Sequence, residues 1–314
     1  MVNHAVALKI NNEMIKIDNI LSVTFNDVAG SKSDRVTVKV VPTFKRPKPS
    51  TKLELIFVRL NNNKVVESLE CGLFHIQTIT RANNQDLSFT ATGVEFNDKQ
   101  KNKLSHHYKD AKLSNIVDIV ADRLGHKVKF KTVNPMITSL NQTEETDINF
   151  LERLANDYNV LFSIKNDIIY FINKNDDSLP TFTVEAPLCK SISIKHSSKT
   201  YYKSALSSYW DIRDGEFKNV TVGKGSPVLK IKYNSKTYQD EADIKIKAQA
   251  KLDQSSKGLV QGSFSTSGMK IYAGTRANLL NTFNNEDDGI YSCESCTHTW
   301  SRGGGWVSSV EIEN

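Results

Sequence analysis

Residues 142–160 read Gln142-Thr-Glu-Glu-Thr-Asp-Ile-Asn-Phe-Leu-Glu-Arg-Leu-Ala-Asn-Asp-Tyr-Asn-Val160. Thr146 stands where a helix N-cap is wanted, with Asp147 in the first turn. Ile148, Leu151, Leu154, Ala155 and Tyr158 then recur at helical spacing. Each large side chain among them, such as Ile148, Leu151 and Leu154, contributes roughly 1.5–3 kcal/mol once buried; Asp147 favours the helix start by about 0.3–1 kcal/mol if exposed. Directly after this helix come two short apolar runs, Val160–Ile164 and Ile168–Ile172. Asn166-Asp167 joins them and suits the positive φ of a tight hairpin. Upstream, Leu113, Ile116, Val117, Val120, Ala121 and Leu124 fall on one helical face, ended by Gly125 at the C-terminal position. Residues 101–175 are therefore an α+β middle domain.

On either side the pattern changes to strands. In residues 1–100, Val6–Ile10 and Met14–Ile17 form a hairpin about Asn11-Asn12, and Ile20–Val28 runs to a turn at Ala29-Gly30-Ser31. Arg35–Val40 alternates with Val36, Val38 and Val40 on one side. Leu53–Leu60, Cys71–Thr80 and Asp86–Val94 supply further strands. In residues 176–314, strands are expected at Phe182–Val184, Ser191–Ile194, Leu206–Asp211, Val220–Val222 and Val228–Tyr233. A helix follows near Gln239–Gln254, with Ala242, Ile246, Gln249 and Ala250 on one stripe. Gly258–Ser265, a turn at Ser267-Gly268, and Thr275–Leu280 come next. Ile290–Trp300 and Trp306–Ile312 close a hairpin about Gly303-Gly304-Gly305. Short strands with regular turn signals predict barrel-like domains. The fold class is mainly β with an α+β insert: two β-barrel-like domains flanking a small mixed α/β domain. The outer blocks share no identity that would prove a repeat.

With 314 residues, 39% hydrophobic and 24% charged, the chain is globular rather than disordered. No run approaches the roughly 18 apolar residues of a membrane helix, and the start, Met-Val-Asn-His, lacks the basic and apolar regions of a secretory signal. The net charge of +6 is mild, and the one basic cluster (Lys45, Arg46, Lys48 and Lys52) lies in or beside a Pro-rich segment that reads as a solvated loop rather than a phosphate site. Four cysteines, Cys71, Cys189, Cys293 and Cys296, are too few and too scattered for a disulfide framework.

Three constellations invite chemistry. Cys293-Glu-Ser-Cys296 with His298 has a zinc or redox spacing. Read as strand, it sends the two cysteines to opposite faces, because their separation is odd, while Cys296 and His298 share a face. His106-His107 beside Tyr108 reads as a linker among Lys103, Lys109 and Lys112 rather than as an acid–base pair. Asn284, Glu286 and Asp288 before Gly289 imitate the start of a calcium loop, but Ser295 stands where the closing Glu belongs. Nucleophile-elbow, Walker, dinucleotide and HExxH patterns are absent. No catalytic, cofactor-binding or metal residue is assigned, no cofactor is expected, and the chain is read as not an enzyme.

The segment 142–160 resembles a signature of the phage late control protein D family, in which Gln-x-x-Glu-Ser-Asp precedes Phe-Leu-x-Arg-Leu-Ala and a Tyr-Gly pair. Thr146 stands for the Ser and Asn159 for the Gly. Phe162-Ser-Ile-Lys-Asn-Asp-Ile-Ile-Tyr-Phe171 resembles the hairpin that follows it. Val23–Val38, Ser208-Tyr-Trp-Asp211, the Ala-rich segment after Asp240, and Gly289-Ile-Tyr with His298 and Gly304-Gly305 agree in order. The family is similar to the N-terminal half of VgrG. The resemblance implies a contractile-tail baseplate hub in which two barrel domains per chain, in a homotrimer, make a pseudo-sixfold ring between the hexameric tail tube and a trimeric spike. Implied partners are further copies of the chain, the tail tube protein, the spike, other baseplate proteins and the tape measure protein, without membrane insertion or sequence-specific nucleic acid. The implied location is the virion tail baseplate, with assembly in the host cytoplasm. At the family's recurring His position, His298 is expected to be a satisfied strand residue near an interface.

Overall fold

The computed structural model describes residues 2–30, 33–82, 87–93, 102–174, 176, 178–198, 201–211, 214–233, 240–255 and 257–314. The first strands are β1 Val2–Ile10, β2 Glu13–Met14, β3 Ile20–Val28, β4 Arg35–Val40, β5 Lys52–Asn61, β6 Lys64–Arg81 and β7 Leu87–Thr92. The middle of the chain holds β8 Lys103–Lys112, α1 Leu113–Leu124, β9 Lys127–Lys131, β10 Met136–Thr146, α2 Asp147–Asp157, β11 Val160–Lys165 and β12 Ile168–Asn173. The remainder holds β13 Thr181–Glu185, β14 Ser191–His196, β15 Ser204–Asp211, β16 Glu216–Gly223, β17 Val228–Lys232 and α3 Glu241–Ser255. It ends with β18 Val260–Ser267, β19 Arg276–Leu280, β20 Gly289–Ser301 and β21 Gly305–Glu313. The mainly β architecture with an α+β insert is as expected.

Two compact units divide the chain, and each is discontinuous in sequence. The first takes residues 1–95, 179–195 and 260–314; the second takes 96–178 and 196–259.

The first unit is built on one open sheet in the order β14-β18-β21-β20-β3-β4-β7-β6-β5-β1-β2, with β13 and β19 branching from β20. Alternation sends one side chain in two inward, and two cores result. The first gathers Val23, Phe25, Val36, Val38, Val40, Leu53, Phe57, Phe74 and Phe89 with Trp300 and Trp306. The second gathers Val184, Phe264, Ile271, Leu279, Tyr291, Cys293, Cys296, Val310 and Ile312. Strands β20 and β21 serve both, each with one half in either core. The unit thus has two lobes threaded on shared strands. In the first lobe the sheet rolls back on itself, and the Trp300 indole donates to the His4 carbonyl of β1 at 3.1 Å. Among the described strands neither lobe closes into a complete barrel.

In the second unit, α1 and α2 pack Ile116, Val117, Val120, Phe150, Leu151 and Leu154 against Phe162, Ile169 and Phe171 of the β11–β12 hairpin. Thr146 caps α2, its Oγ1 accepting from the Asn149 amide at 3.3 Å. Gly125 ends α1 at φ 77°, and Asn166 and Asp167 turn at φ 49° and 59°. Asn159, the residue in the family's glycine position, has φ 49°. That left-handed conformation is open to Gly and Asn but strained for most other residues. The α3 helix covers β15 and β16 through Ile244, Ala248 and Leu252. Tyr158 at the end of α2 donates to Asp243 Oδ1 at 2.6 Å, while Lys247 pairs with Asp243 Oδ2 at 2.6 Å. Burial, reinforced by the Asp243 charge, pushes the Tyr158 hydroxyl strongly up, so it remains a donor.

Several expectations are corrected. Met14–Ile17 is not a strand: pairing stops at Met14 and a 3₁₀ turn takes Ile17–Asn19. Ala242 and Gln249 are exposed, because the buried face of α3 is centred on Ile244 and Ala248. His106-His107 is not a linker but lies within β8, which pairs with β10. Asp86, Val94, Ser31 and Gln239 lie outside the described residues.

The imidazole of His126, directly after α1, is 10% exposed. Burial lowers its pKa below the ordinary 6.5, and Asp167 opposes this only in part. The unfolded chain therefore takes up this proton more readily than the native one. The stabilising contribution is complete above pH 6.5 and declines as pH falls below it through the lower native value. Urea unfolding at a series of pH values is expected to show stability rising toward neutrality, with a shallower rise in His126→Leu.

Candidate functional site

Gln142 and Asp147, with Arg123 and Tyr108, form a buried polar knot. Arg123, on the last turn of α1, donates from Nε to Asp147 Oδ2 at 3.1 Å and from Nη2 to Asp147 Oδ1 at 2.5 Å. The same Nη2 reaches Gln142 Oε1 at 2.9 Å and the Tyr108 hydroxyl at 3.0 Å. Gln142 Nε2 donates to Asp147 Oδ1 at 2.9 Å. Gln142 is 1% and Asp147 5% exposed. Asp147 stands in the first turn of the helix as the sequence indicated, but as a buried charge held by a forked partner rather than an exposed one. Glu145, the other acid of the motif, pairs with Arg153 Nη2 at 2.5 Å. These motif residues tie β8, β10, α1 and α2 together and form no cleft with converging reactive groups.

His298 is fully buried and satisfied. Trp306 Nε1 donates to His298 Nδ1 at 3.3 Å. An indole N–H can only donate, so Nδ1 accepts and Nε2 carries the proton. Nε2 donates to the Ile271 carbonyl at 3.1 Å, and Ser308 Oγ sits 2.9 Å from Nδ1. Phe25, Phe57 and Trp306 surround the ring. The imidazole is a core strut that joins β20 to β21 and to the segment before β19.

Cys293 and Cys296 do not point to opposite faces. They are 1% and 0% exposed and belong to one core. The β20–β21 register shifts between Cys293 and Ser295. That bulge adds one residue and returns Cys296 to the inside. Burial pushes the Cys293 thiol up to about 12, which opposes the thiolate that metal binding or exchange requires. Among the described residues no cluster of His, Cys, Asp and Glu could hold a metal ion. Native protein is expected to react with a thiol reagent at half-exposed Cys71 and Cys189 only, with Cys293 and Cys296 labelled after unfolding. Peptide mass spectrometry checks this, and stoichiometric zinc by emission spectroscopy would contradict it.

The acidic turn before β20 uses Asp288 to hold itself. Its carboxylate accepts from the Thr282 hydroxyl at 2.6 Å, the Thr282 amide at 2.8 Å and the Asn281 amide at 3.1 Å. These bonds, the Thr282 hydroxyl first, keep the Asp288 carboxyl below the usual range. With its oxygens engaged by the turn, Asp288 is a structural cap. His107 Nδ1 lies 2.5 Å from Asn141 Oδ1 on an exposed strand face, and His106 stacks edge-on against Tyr108. Lys45, Arg46 and Lys48 are exposed in the loop between β4 and β5 as expected. On the outside of the second lobe, Ser193, Lys195, Ser263, Glu294, Glu311 and Glu313 line an open groove of about 540 Å³. Ser295 Oγ donates to Glu311 Oε2 there at 2.8 Å. Sequence reasoning missed this groove, because its residues come from four strands that meet only through long-range pairing.

No family model matches the chain, and no curated protein sequence does. Solved structures do match. A tail protein from Neisseria meningitidis superposes with a TM-score of 0.75 at 9% identity, over 99% of this chain and 97% of that one. A prophage MuSo2 tail protein from Shewanella oneidensis gives 0.68 at 12% identity, over 98% and 97%. The Francisella PdpA–VgrG complex gives 0.58 at 8% identity, covering all of this chain and 58% of that one. The chain therefore has the fold of phage and prophage tail proteins. A chain of the PdpA–VgrG complex shares this fold, in keeping with the family resemblance carried by residues 142–160.

Proposed function

We propose that this chain is the structural baseplate hub of a contractile phage or prophage tail. Three copies form a pseudo-sixfold ring that joins a hexameric tail tube to a trimeric spike. The observation that carries the reading is the pair of cores strung on one continuous sheet. Two lobes per chain, taken three times, make six, which reconciles a sixfold tube with a threefold spike, and a closed ring satisfies surfaces that would otherwise polymerise. The fold likeness to tail proteins along nearly the whole chain supports it. In this reading residues 1–95, 179–195 and 260–314 supply both hub lobes, and residues 96–178 and 196–259 the mixed unit, so the lobes are not the separate blocks 1–100 and 176–314 that the sequence suggested. The partners are the tube, the spike, other baseplate proteins and the tape measure protein, and the place of action is the tail baseplate after assembly in the host cytoplasm. The role is carried by surfaces and needs no active site. A peptidoglycan zymogram is expected to stay uncleared.

Electron microscopy of the purified protein, alone and with a trimeric spike, tests the reading. Threefold rings with six lobes are expected in at least the second sample. Monomers in both samples, or rings of another symmetry, would reject it. The likeness to the VgrG complex favours one second reading, a hub in a tailocin or another contractile injection or secretion machine. The same ring is expected there, and capture of the spike from each kind of machine separates the two.

A further inference from the structure

Strand register sets a row of hydroxyls across the outside of the long sheet. Thr78 of β6 lies opposite Thr90 of β7, Thr90 opposite Thr37 of β4, and Thr37 opposite Thr24 of β3. Thr24 lies opposite Thr299 of β20, Thr299 opposite Val307 of β21, and Val307 opposite Ser267 of β18. Directly opposed residues share a face. Their neighbours along the strands, among them Val36, Val38, Val23, Phe25, His298 and Trp300, are buried, so this row faces outward. A second row, two residues along, starts at Arg35, opposite buried Thr92, and runs Arg35, Asn26, Thr297, Ser309 and Ser265. It extends to Ser191 of β14, whose Oγ is 2.7 Å from that of Ser265.

Charged residues make up 24% of the chain, yet Arg35 is the one charged residue in these two rows. An ordinary solvent face of a sheet alternates Lys and Glu, and a face made for packing carries aromatics and aliphatics. These two rows have neither character; the next positions on the same face return to charge at Lys39 and at Glu311, the latter in the carboxylate groove. The rows also cross both lobes without a break, because β20 and β21 belong to both cores. The exposed apolar side chains that do call for cover, Val65, Val66, Leu188, Phe283 and Ile290, lie off the rows.

We infer that this hydroxyl face lines the bore of the proposed ring and stays wetted in the assembly. The inference rests on the ring reading. When lobes stand side by side in a ring, only a surface that runs unbroken from lobe to lobe can line the opening. Threonine meets the two demands together. Its branched side chain favours the strand, and its hydroxyl holds water without the charge that would trap a passing polymer of opposite sign.

Single cysteines at Thr37, Thr299 and Ser309, in a Cys71→Ser, Cys189→Ser background, test this. The full chain is labelled before and after ring assembly, using a small maleimide and a polymer-linked one. Three positions on three strands guard against one substitution that blocks folding. Separate chains are expected to react with both reagents. Rings are expected to keep small-reagent labelling and lose polymer-linked labelling. Loss of small-reagent labelling in rings would mean that a neighbour covers the face, and full labelling by both would place it outside; either overturns the inference and leaves the ring intact. If microscopy of the same samples shows no threefold rings, the ring reading falls and the inference falls with it.

Discussion

Arg123→Leu is expected to destabilise the protein by about 3 kcal/mol. The substitution strips the Asp147 carboxylate, 6% exposed, of its forked partner. Gln142 Nε2 is then the side chain left bonded to it among the described partners. Breaking a buried pair by deleting one member costs about 3–5 kcal/mol, because an uncompensated charge stays in low dielectric. The Arg123 side chain is 28% exposed, so the low end of that range applies. Tyr108 and Gln142 lose their shared donor at the same time. Asp147→Asn in the Arg123→Leu background removes the stranded charge, and the double variant is expected to be less destabilised than the sum of the singles. Urea unfolding followed by circular dichroism reads all three. A loss below about 1 kcal/mol in Arg123→Leu would mean that Asp147 is solvated in the native protein.

The second large effect is expected at Trp306. Its side chain is fully buried, stacks on Phe57 at 5.5 Å between ring centroids, and meets His298 and His4. Trp306→Ala removes the packing and also leaves a cavity, for about 3–5 kcal/mol. It deprives His298 Nδ1 of its indole donor as well. The indole fits because Gly268 lies against it: a Cβ at position 268 would clash with the ring of Trp306. Gly268→Ala is therefore expected to destabilise by overpacking, about 1–3 kcal/mol. Thermal unfolding of both variants checks this. A Gly268→Ala protein as stable as the parent would show that the ring has room to move.

Both effects test what the sequence could and could not reveal. The helices of the middle block were legible because Leu113–Leu124 and Ile148–Tyr158 repeat at the helical period and are bounded by Gly125 and Thr146. Hairpins were legible where Asn11-Asn12 and Asn166-Asp167 supply positive φ. Strand β8 was not, because Tyr108 alone among Lys103–Lys112 is buried, so no alternation marks it. The α3 face was misplaced because alanines and isoleucines lie on several sides of that helix and only packing chooses among them. The bulge that brings both Cys293 and Cys296 inside leaves no local trace. Asp147 looked like a helix-start acid because its partner, Arg123, lies 24 positions away. The hydroxyl rows were invisible for the same reason: threonines at 24, 37, 78, 90 and 299 become neighbours only through strand register.

The pairing of β3 with β20 brings together Asn26 and Thr297, which are 271 positions apart. A ribosome adding about 5–20 residues per second needs roughly 15–50 s to cover that distance. Throughout that interval the emerging β3 has one vacant side, and the first core lacks Trp300 and Trp306. A vacant strand side invites pairing with the wrong chain. Translation therefore opens a long window in which crowding of nascent chains threatens the yield, and a low density of ribosomes on the message, or a chaperone that covers the vacant strand, is expected to raise it.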